Sequence, residues 1–264
     1  MNALKEALRL YQETSIPVDE ICRIRKLAKS TFYRKKPKNI VRGHANKGRI
    51  YTFNFDKFKE ESREKYYWLG FLGADGTIVN NTLSIELNSI DKNHLIKFNN
   101  WCENTAKITE RVNNMGSKCS KTTLNSVELV NYLKKYGLIQ NKSKSFEMVN
   151  IPDAYSLDFI RGYIDGDGTV AMKGNQIYLS IVSGNRKLIE QIEEILQTGN
   201  KISDYGTYFK ITCVGNNKAK KILDRIYKNS TEDTRLDRKY ETYMALASCG
   251  SDSQDKLCEL LGTP

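Results

Sequence analysis

Apolar residues near the start of the chain recur at helical spacing. Leu4, Ala7, Leu8 and Tyr11 fall on one face, and the pattern breaks at Ser15-Ile16-Pro17. A second helix is predicted from about Val18 through Ile21, Cys22 and Ile24. After a turn near Leu27-Ala28, the run Lys29-Ser30-Thr31-Phe32-Tyr33-Arg34-Lys35-Lys36 predicts a third, with Ser30 and Thr31 as candidate caps for its start. Residues 1–36 thus read as a small helical module. Residues 37–60 read as a linker, because Lys36-Pro37-Lys38 opens a small, polar and basic stretch that includes Gly43-His44-Ala45-Asn46-Lys47-Gly48-Arg49.

From residue 61 the chain repeats itself. Tyr67-Trp68-Leu69-Gly70-Phe71-Leu72-Gly73-Ala74-Asp75-Gly76-Thr77-Ile78 is matched 92 residues later by Phe159-Ile160-Arg161-Gly162-Tyr163-Ile164-Asp165-Gly166-Asp167-Gly168-Thr169-Val170. Each copy leads into alternating residues suited to a hairpin, Ile78 to Leu87 and Val170 to Ile181, with Asn80-Asn81 and Lys173-Gly174-Asn175 as turns. Helices follow at Lys92–Trp101 and Arg186–Leu196. Further strands are predicted near Ala106–Arg111 and Thr122–Leu124, and near Lys201–Ser203 and Tyr208–Val214. Helices at Val127–Tyr136 and Lys218–Tyr227 close each unit. The expectation is an α+β protein built as two αββαββα halves, residues 61–150 and 151–243, followed by a tail at 244–264.

The repeated segment has a physical logic. Gly70 and Ala74, like Gly162 and Gly166, lie four apart and so share a helical face. Glycine inside a helix costs about 1 kcal/mol relative to alanine, so its repetition at matching places points to two helices crossing backbone on backbone. Each helix is expected to stop at Asp-Gly, with Gly76 and Gly168 as left-handed caps. Asp75 and Asp167 would then arrive side by side at helix C-termini, which are already partly negative. That is unfavourable without a cation, and a hard divalent ion such as Mg²⁺ suits oxygen ligands.

Charge adds a partner. The chain carries a net +11 with a pI near 9.2, which points to a polyanion, nucleic acid ahead of an acidic membrane surface. Residues 1–50 hold thirteen Lys and Arg against four Asp and Glu, a net +9 that leaves +2 for the rest. The six cysteines form no C-x-x-C pair and the two histidines have no cysteine at ligand spacing, which argues against a disulfide framework or structural zinc and for a reduced cytoplasmic setting. No apolar run approaches the roughly 18 residues needed to span a bilayer.

Residues 1–36 resemble the helix-turn-helix of resolvases and transposases, whose last helix often ends in a run like Ser-Thr-Phe-Tyr-Arg. The duplicated segments resemble the LAGLIDADG motif of homing endonucleases, and two copies in one chain fit the monomeric form. The resemblance covers about residues 51 to 243, with support from Tyr136-Gly137-Leu138 and Leu236-Asp237-Arg238-Lys239-Tyr240. It implies metal-binding acids at Asp75 and Asp167, joined by the backbone carbonyls of Ala74 and Gly166, with Mg²⁺ or another divalent cation such as Mn²⁺. A further acid is frequent at the sixth motif position, occupied here by Gly73 and Asp165. The resemblance also implies hydrolysis of one phosphodiester in each strand of a long double-stranded DNA site. Polar residues near the site are matched by Asp91 and Asn185, and lysines near the fourth strand by Lys121 and Lys210. Each half is expected to form a saddle-shaped sheet against DNA, with Ser84, Glu86, Asn88, Lys121, Gln176, Tyr178, Ser180 and Lys210 pointing outward. Further contacts to nucleic acid are expected from Ser30, Thr31, Tyr33, Arg34, Lys35 and Lys36, from Arg42, Lys47 and Arg49, and from Arg238 and Lys239. A regulator that binds without cutting, or a maturase acting on intron RNA, would use the same fold.

Overall fold

The computed structural model describes residues 3–14, 16, 18–37, 40, 51–173 and 176–248. Arg42, Lys47 and Arg49, the turn residues Gly174 and Asn175, and the tail from 249 lie outside the described residues. Two compact units are present, Met1–Tyr51 and Thr52–Pro264.

The first unit holds α1 (Ala3–Glu13), α2 (Val18–Ile24) and α3 (Lys29–Lys35). Ala7, Val18, Ile21, Cys22 and Phe32 form its core, and Tyr11 packs on Phe32 with ring centroids 5.4 Å apart. The capping expectation fails: α3 starts after Ala28 with no side-chain cap, so Ser30 and Thr31 sit inside its first turn. Ser30, Tyr33, Arg34 and Lys35 are exposed. Lys36 instead turns back on the module, donating to the Ile40 carbonyl at 2.7 Å and lying over the Tyr11 ring.

The second unit begins earlier than the composition suggests. The Asn54 amide donates to the Cys102 carbonyl at 2.7 Å, and the short helix α4 (Asp56–Lys59) inserts Phe58 against Trp101, with 1% of Phe58 exposed. Residues 52–60, the end of the segment read as linker, are therefore packed. Among the charged Asp56, Lys57 and Lys59, the residues Phe53, Phe55 and Phe58 supply apolar surface that the core takes up.

The first half runs α5 (Arg63–Asp75), β1 (Gly76–Val79), β2 (Thr82–Asn88), α6 (Lys92–Trp101), β3 (Thr109–Val112), β4 (Lys118–Asn125) and α7 (Val127–Leu133). The second runs α8 (Ser156–Asp167), β5 (Thr169–Lys173), β6 (Gln176–Ser183), α9 (Arg186–Leu196), β7 (Ser203–Asp204), β8 (Phe209–Val214) and α10 (Asn216–Tyr227), with α11 (Asp237–Ser248) after it. Both sheets are antiparallel and share one topology, β1-β2-β4-β3 and β5-β6-β8-β7. Their registers coincide: buried Ile85 faces Thr122 as buried Ile181 faces Ile211, so the next pairs, Glu86 with Lys121 and Val182 with Lys210, are equivalent.

Ser62 caps α5 by accepting from the Lys65 amide. Every residue of α5 from Lys65 to Gly73 is buried, as is every residue of α8 from Asp158 to Asp165. Helices buried on all sides carry no single apolar stripe, because each packs against its twin and against the sheets. Polar cross-links join the halves. Arg161, 1% exposed, donates to Asp158 at 2.8 Å and to the carbonyls of Thr234 and Ile226 at 2.8 and 3.0 Å. Arg63 in α5 reaches the same Asp158 at 2.9 Å. Among the described residues no helix is long and apolar enough to cross a membrane.

Candidate active site

The site is made by the crossing of α5 and α8. A Cβ placed on Gly70 would fall 1.9 Å from the Phe159 carbonyl oxygen, and one on Gly162 would fall 1.9 Å from that of Tyr67. Only hydrogen fits there. One turn later a Cβ on Gly166 would meet the Ala74 Cβ at 2.3 Å and an Asp75 carboxylate oxygen at 3.2 Å, so Asp75 lies directly beside the residue that precedes Asp167. The two motif acids therefore share one small volume at the paired helix ends.

Gly76 and Gly168 do not adopt the expected left-handed caps. Their φ values are −71° and −85°, and both run straight into strands. Glycine is needed there for closeness: a Cβ would fall 2.5 Å from the Leu72 carbonyl oxygen and 2.6 Å from that of Ile164.

Charge at the site is partly compensated by the chain itself. The Lys142 ammonium donates to the Ala74 carbonyl at 3.2 Å. Lys239 is 6% exposed and donates to the carbonyls of Ile164, Asp165, Gly166 and Gly168 at 2.8, 2.7, 3.1 and 2.6 Å. It is a peg at the C-terminus of α8, where a cation is favourable. Lys239 is therefore not a surface contact for nucleic acid. Both lysines hold carbonyls expected from the sequence to face a metal, and together they supply two positive charges beside two carboxylates. Even so, burial and then the Asp167 charge push the Asp75 carboxyl up to about 6, against the opposing pull of Lys239 and Lys142. Burial likewise raises Asp167 above the ordinary carboxylate range, with Lys142 and Lys239 pulling the other way.

Asp165, the other motif acid, does not join this pair. It is buried and accepts from the hydroxyls of Tyr67 and Tyr227, at 2.8 and 3.1 Å, and from the Leu236 amide at 2.8 Å. At the matching place a Cβ on Gly73 would strike the Phe146 ring at 2.1 Å, so no side chain fits. The asymmetry at this position is one of packing between the halves.

Asp167 opens onto a cleft of about 320 Å³ lined by Val182, Ser183, Gly184, Tyr208 and Lys210. Val182 and Lys210 belong to the sheet face turned away from the helices, so the acid and that face communicate. Strand alternation puts Ser84, Glu86, Asn88 and Lys121 on the corresponding face of the first sheet, and Gln176, Tyr178, Ser180 and Lys210 on that of the second. Tyr178 and Ser180 are largely covered; Lys173 and Lys210 lie over the Tyr178 ring at 3.9 and 5.6 Å. Burial works to raise the Tyr178 phenol, but hydrogen bonds from Lys210, Ser180 and Thr212 outweigh it and bring it down to about 8. Glu86 accepts two bonds from Arg111.

Asp91 and Asn185 immediately precede α6 and α9 and so stand at equivalent places. Asp91 takes Arg238 at 3.0 and 3.3 Å and adds to the negative field on Asp75. Asn185 caps α9 by accepting from the Lys187 amide at 3.1 Å and donates to the Phe146 carbonyl at 3.1 Å. Both of its polar ends are occupied in holding the fold.

Residues 154–205, which include α8 and its Asp167, match the model of a LAGLIDADG-like domain. Residues 1–39 match the helix-turn-helix domain of resolvase. The chain is similar to a crystal structure of the I-LtrWI LAGLIDADG homing endonuclease bound to target DNA, at 11% identity over 76% of this chain and 96% of that one, with a TM-score of 0.49. It is also similar to the LAGLIDADG homing endonuclease I-GzeII in complex with a DNA target, at 13% identity over 75% and 95%, TM-score 0.49. A third similar structure is I-SmaMI bound to uncleaved DNA target in the presence of calcium ions, at 12% identity over 72% and 90%, TM-score 0.47. No curated protein matches.

The first half repeats the architecture of the second element for element, with the same strand order and register. Sequence reasoning missed Lys142. It sits in an irregular turn after Asn141, where no periodicity marks a residue as functional. The available signal was its counterpart: Lys142 follows Leu138 near the end of one half as Lys239 follows Leu236 near the end of the other.

Proposed function

We propose that this chain is a site-specific endonuclease of double-stranded DNA that hydrolyses one phosphodiester in each strand with a divalent metal. The observation that carries this reading is the pairing of Asp75 and Asp167 at abutting helix ends, with Asp167 opening through the Lys210 cleft onto an outer sheet face.

The residues present fit a hard divalent ion. Both carboxyls are shifted upward, chiefly by burial and for Asp75 also by the Asp167 charge, so a cation between them would favour the charged forms that Lys142 and Lys239 only partly support. Asp75 and Asp167 would hold it, with the Ala74 carbonyl as a further oxygen. The Gly166 carbonyl is its counterpart, and each also accepts from a lysine, Ala74 from Lys142 and Gly166 from Lys239. Mg²⁺ or Mn²⁺ there supplies charge to a leaving oxygen and lowers the pKa of a bound water.

The chain's own groups do the rest. Lys121 and Lys210, at equivalent places on the two sheets, meet the phosphates of opposite strands, and Arg238, held by Asp91, adds a guanidinium on the Asp75 side. The outer sheet faces lie along the major groove of a long target. Ser30, Tyr33, Arg34 and Lys35 of the helix-turn-helix, with the basic segment after it, extend the contact. One chain carries both acids and acts as a monomer in a reduced cytoplasmic compartment.

Purified full-length protein with Mg²⁺ should cut members of a genomic or randomised duplex library at one sequence, and Asp75→Asn should bind that sequence without cutting. Cutting without metal, or undiminished cutting by Asp75→Asn, overturns the site assignment. Tight binding to duplex with no cutting under any divalent ion would make the chain a regulator, and preference for structured intron RNA would make it a maturase.

A further inference from the structure

Among the differences between the two outer sheet faces, one pair of equivalent places carries an ion pair on the first face only. On the first, Glu86 of β2 and Arg111 of β3 reach across β4 and join: the guanidinium donates Nε–H at 3.0 Å and Nη2–H at 2.6 Å to one carboxylate oxygen. On the second, Val182 stands where Glu86 does. Tyr205 lies two residues after Ser203, as Arg111 lies two after Thr109, and Ser203 and Thr109 face the equivalent Lys210 and Lys121.

A guanidinium has five N–H groups in a rigid fork. Glu86 takes the side edge, Nε with one Nη2 hydrogen. The end edge, one hydrogen each from Nη1 and Nη2, points on along the side chain. Arg111 is 61% exposed and Glu86 27%, so the carboxylate is the seated member and the guanidinium the one presented. An exposed ion pair of this kind adds little stability, and the side-chain entropy of fixing an arginine on an edge strand goes unrewarded in the free protein. Two parallel N–H groups about as far apart as two acceptors on one base edge match guanine O6 and N7 in the major groove, the pairing that best separates G from the other bases.

We infer that Arg111, braced by Glu86, reads a single guanine in the half-site covered by the first sheet, and that the second half-site has no equivalent guanine contact. The inference rests on the DNA-binding reading above. Ser84 and Lys121 lie on the same face and place the backbone; Glu86 acts through Arg111 as a positioning residue.

The test is selection of bound sequences from a randomised duplex library in EDTA. It uses full-length wild type, Arg111→Ala, Arg111→Lys and Glu86→Gln, followed by titration of matched duplexes differing at one base pair. The wild-type motif should contain a guanine in one half-site that both Arg111 variants lose, with discrimination there falling by about 5- to 150-fold and other positions unchanged. Arg111→Lys should keep the salt slope of wild type, because charge survives while the fork does not. Glu86→Gln should fall between. Arg111→Ala selecting the same motif overturns the inference, as does a uniform loss of affinity across all sequences with a shallower salt slope, which marks a phosphate contact. If wild type enriches no sequence at all, site-specific DNA binding itself fails, and this inference fails with it.

Discussion

Gly162→Ala isolates the contact on which the site depends. The new methyl would lie 1.9 Å from the Tyr67 carbonyl oxygen and 2.8 Å from the Phe71 amide nitrogen, both backbone atoms of α5. Reaching an ordinary 3.4 Å contact means opening the crossing by about 1.5 Å, and no side chain can yield instead. Two effects oppose each other. Alanine favours the helix by about 1 kcal/mol over glycine. Overpacking a core costs about 1–3 kcal/mol even where side chains can shift, so a backbone clash belongs at or beyond the upper end. The net expectation is a loss of about 2 kcal/mol or more, read as a lower urea midpoint at unchanged slope. Cutting should suffer more, since a misplacement of about 1 Å between reacting groups costs on the order of 100-fold. Gly70→Ala meets the Phe159 carbonyl in the same crossing at the same 1.9 Å, so the double variant should lose less than the sum of the two, the helices having already parted. A Gly162→Ala protein more stable than wild type by about 1 kcal/mol, or strictly additive losses, would refute the close-crossing argument.

Three other outcomes follow from the same geometry. Asp75 is raised from an ordinary 3.8 to about 6, so the folded chain binds the proton more tightly and loses stability as pH rises between those values. In metal-free buffer Asp75→Asn should therefore be more stable than wild type at pH 8, by up to about 3 kcal/mol, and should show no advantage near pH 3.5; an advantage independent of pH would contradict this. Arg161→Ala leaves Asp158 buried with only Arg63 opposite and frees the Thr234 and Ile226 carbonyls, so thermal and urea unfolding should both report a loss near the lower end of about 3–5 kcal/mol. Removing residues 1–50 should weaken DNA binding and flatten its dependence on salt, and an unchanged slope would mean that the basic segment does not touch phosphate.

Much of this protein is written locally. The alternation from Ile78 to Leu87 and the spacing from Arg186 to Leu196 each depend on which side of one element is buried, and that signal survives without knowledge of the partner. Glycines at repeated places declared a helix crossing because a missing side chain has few other uses inside a helix. Asp75 and Asp167 could therefore be placed together from the sequence.

What the sequence could not decide is which polar groups meet across long stretches of chain. Lys142 reaches Ala74 and Lys239 reaches Gly166 over 68 and 73 residues, and neither lysine carries a mark of its partner. Lys239 looked like a surface cation in a basic run and proved to be the peg of a helix end. Asp165, an acid at the sixth motif position, is bound by two tyrosines from different helices, of which the sequence carries no sign. The charge expected only from a metal is partly built into the chain. The periodicity of a helix or strand is set by its own backbone geometry and is legible along the chain, whereas hydrogen bonds and fields fall off within a few ångströms and are fixed only when distant segments cross.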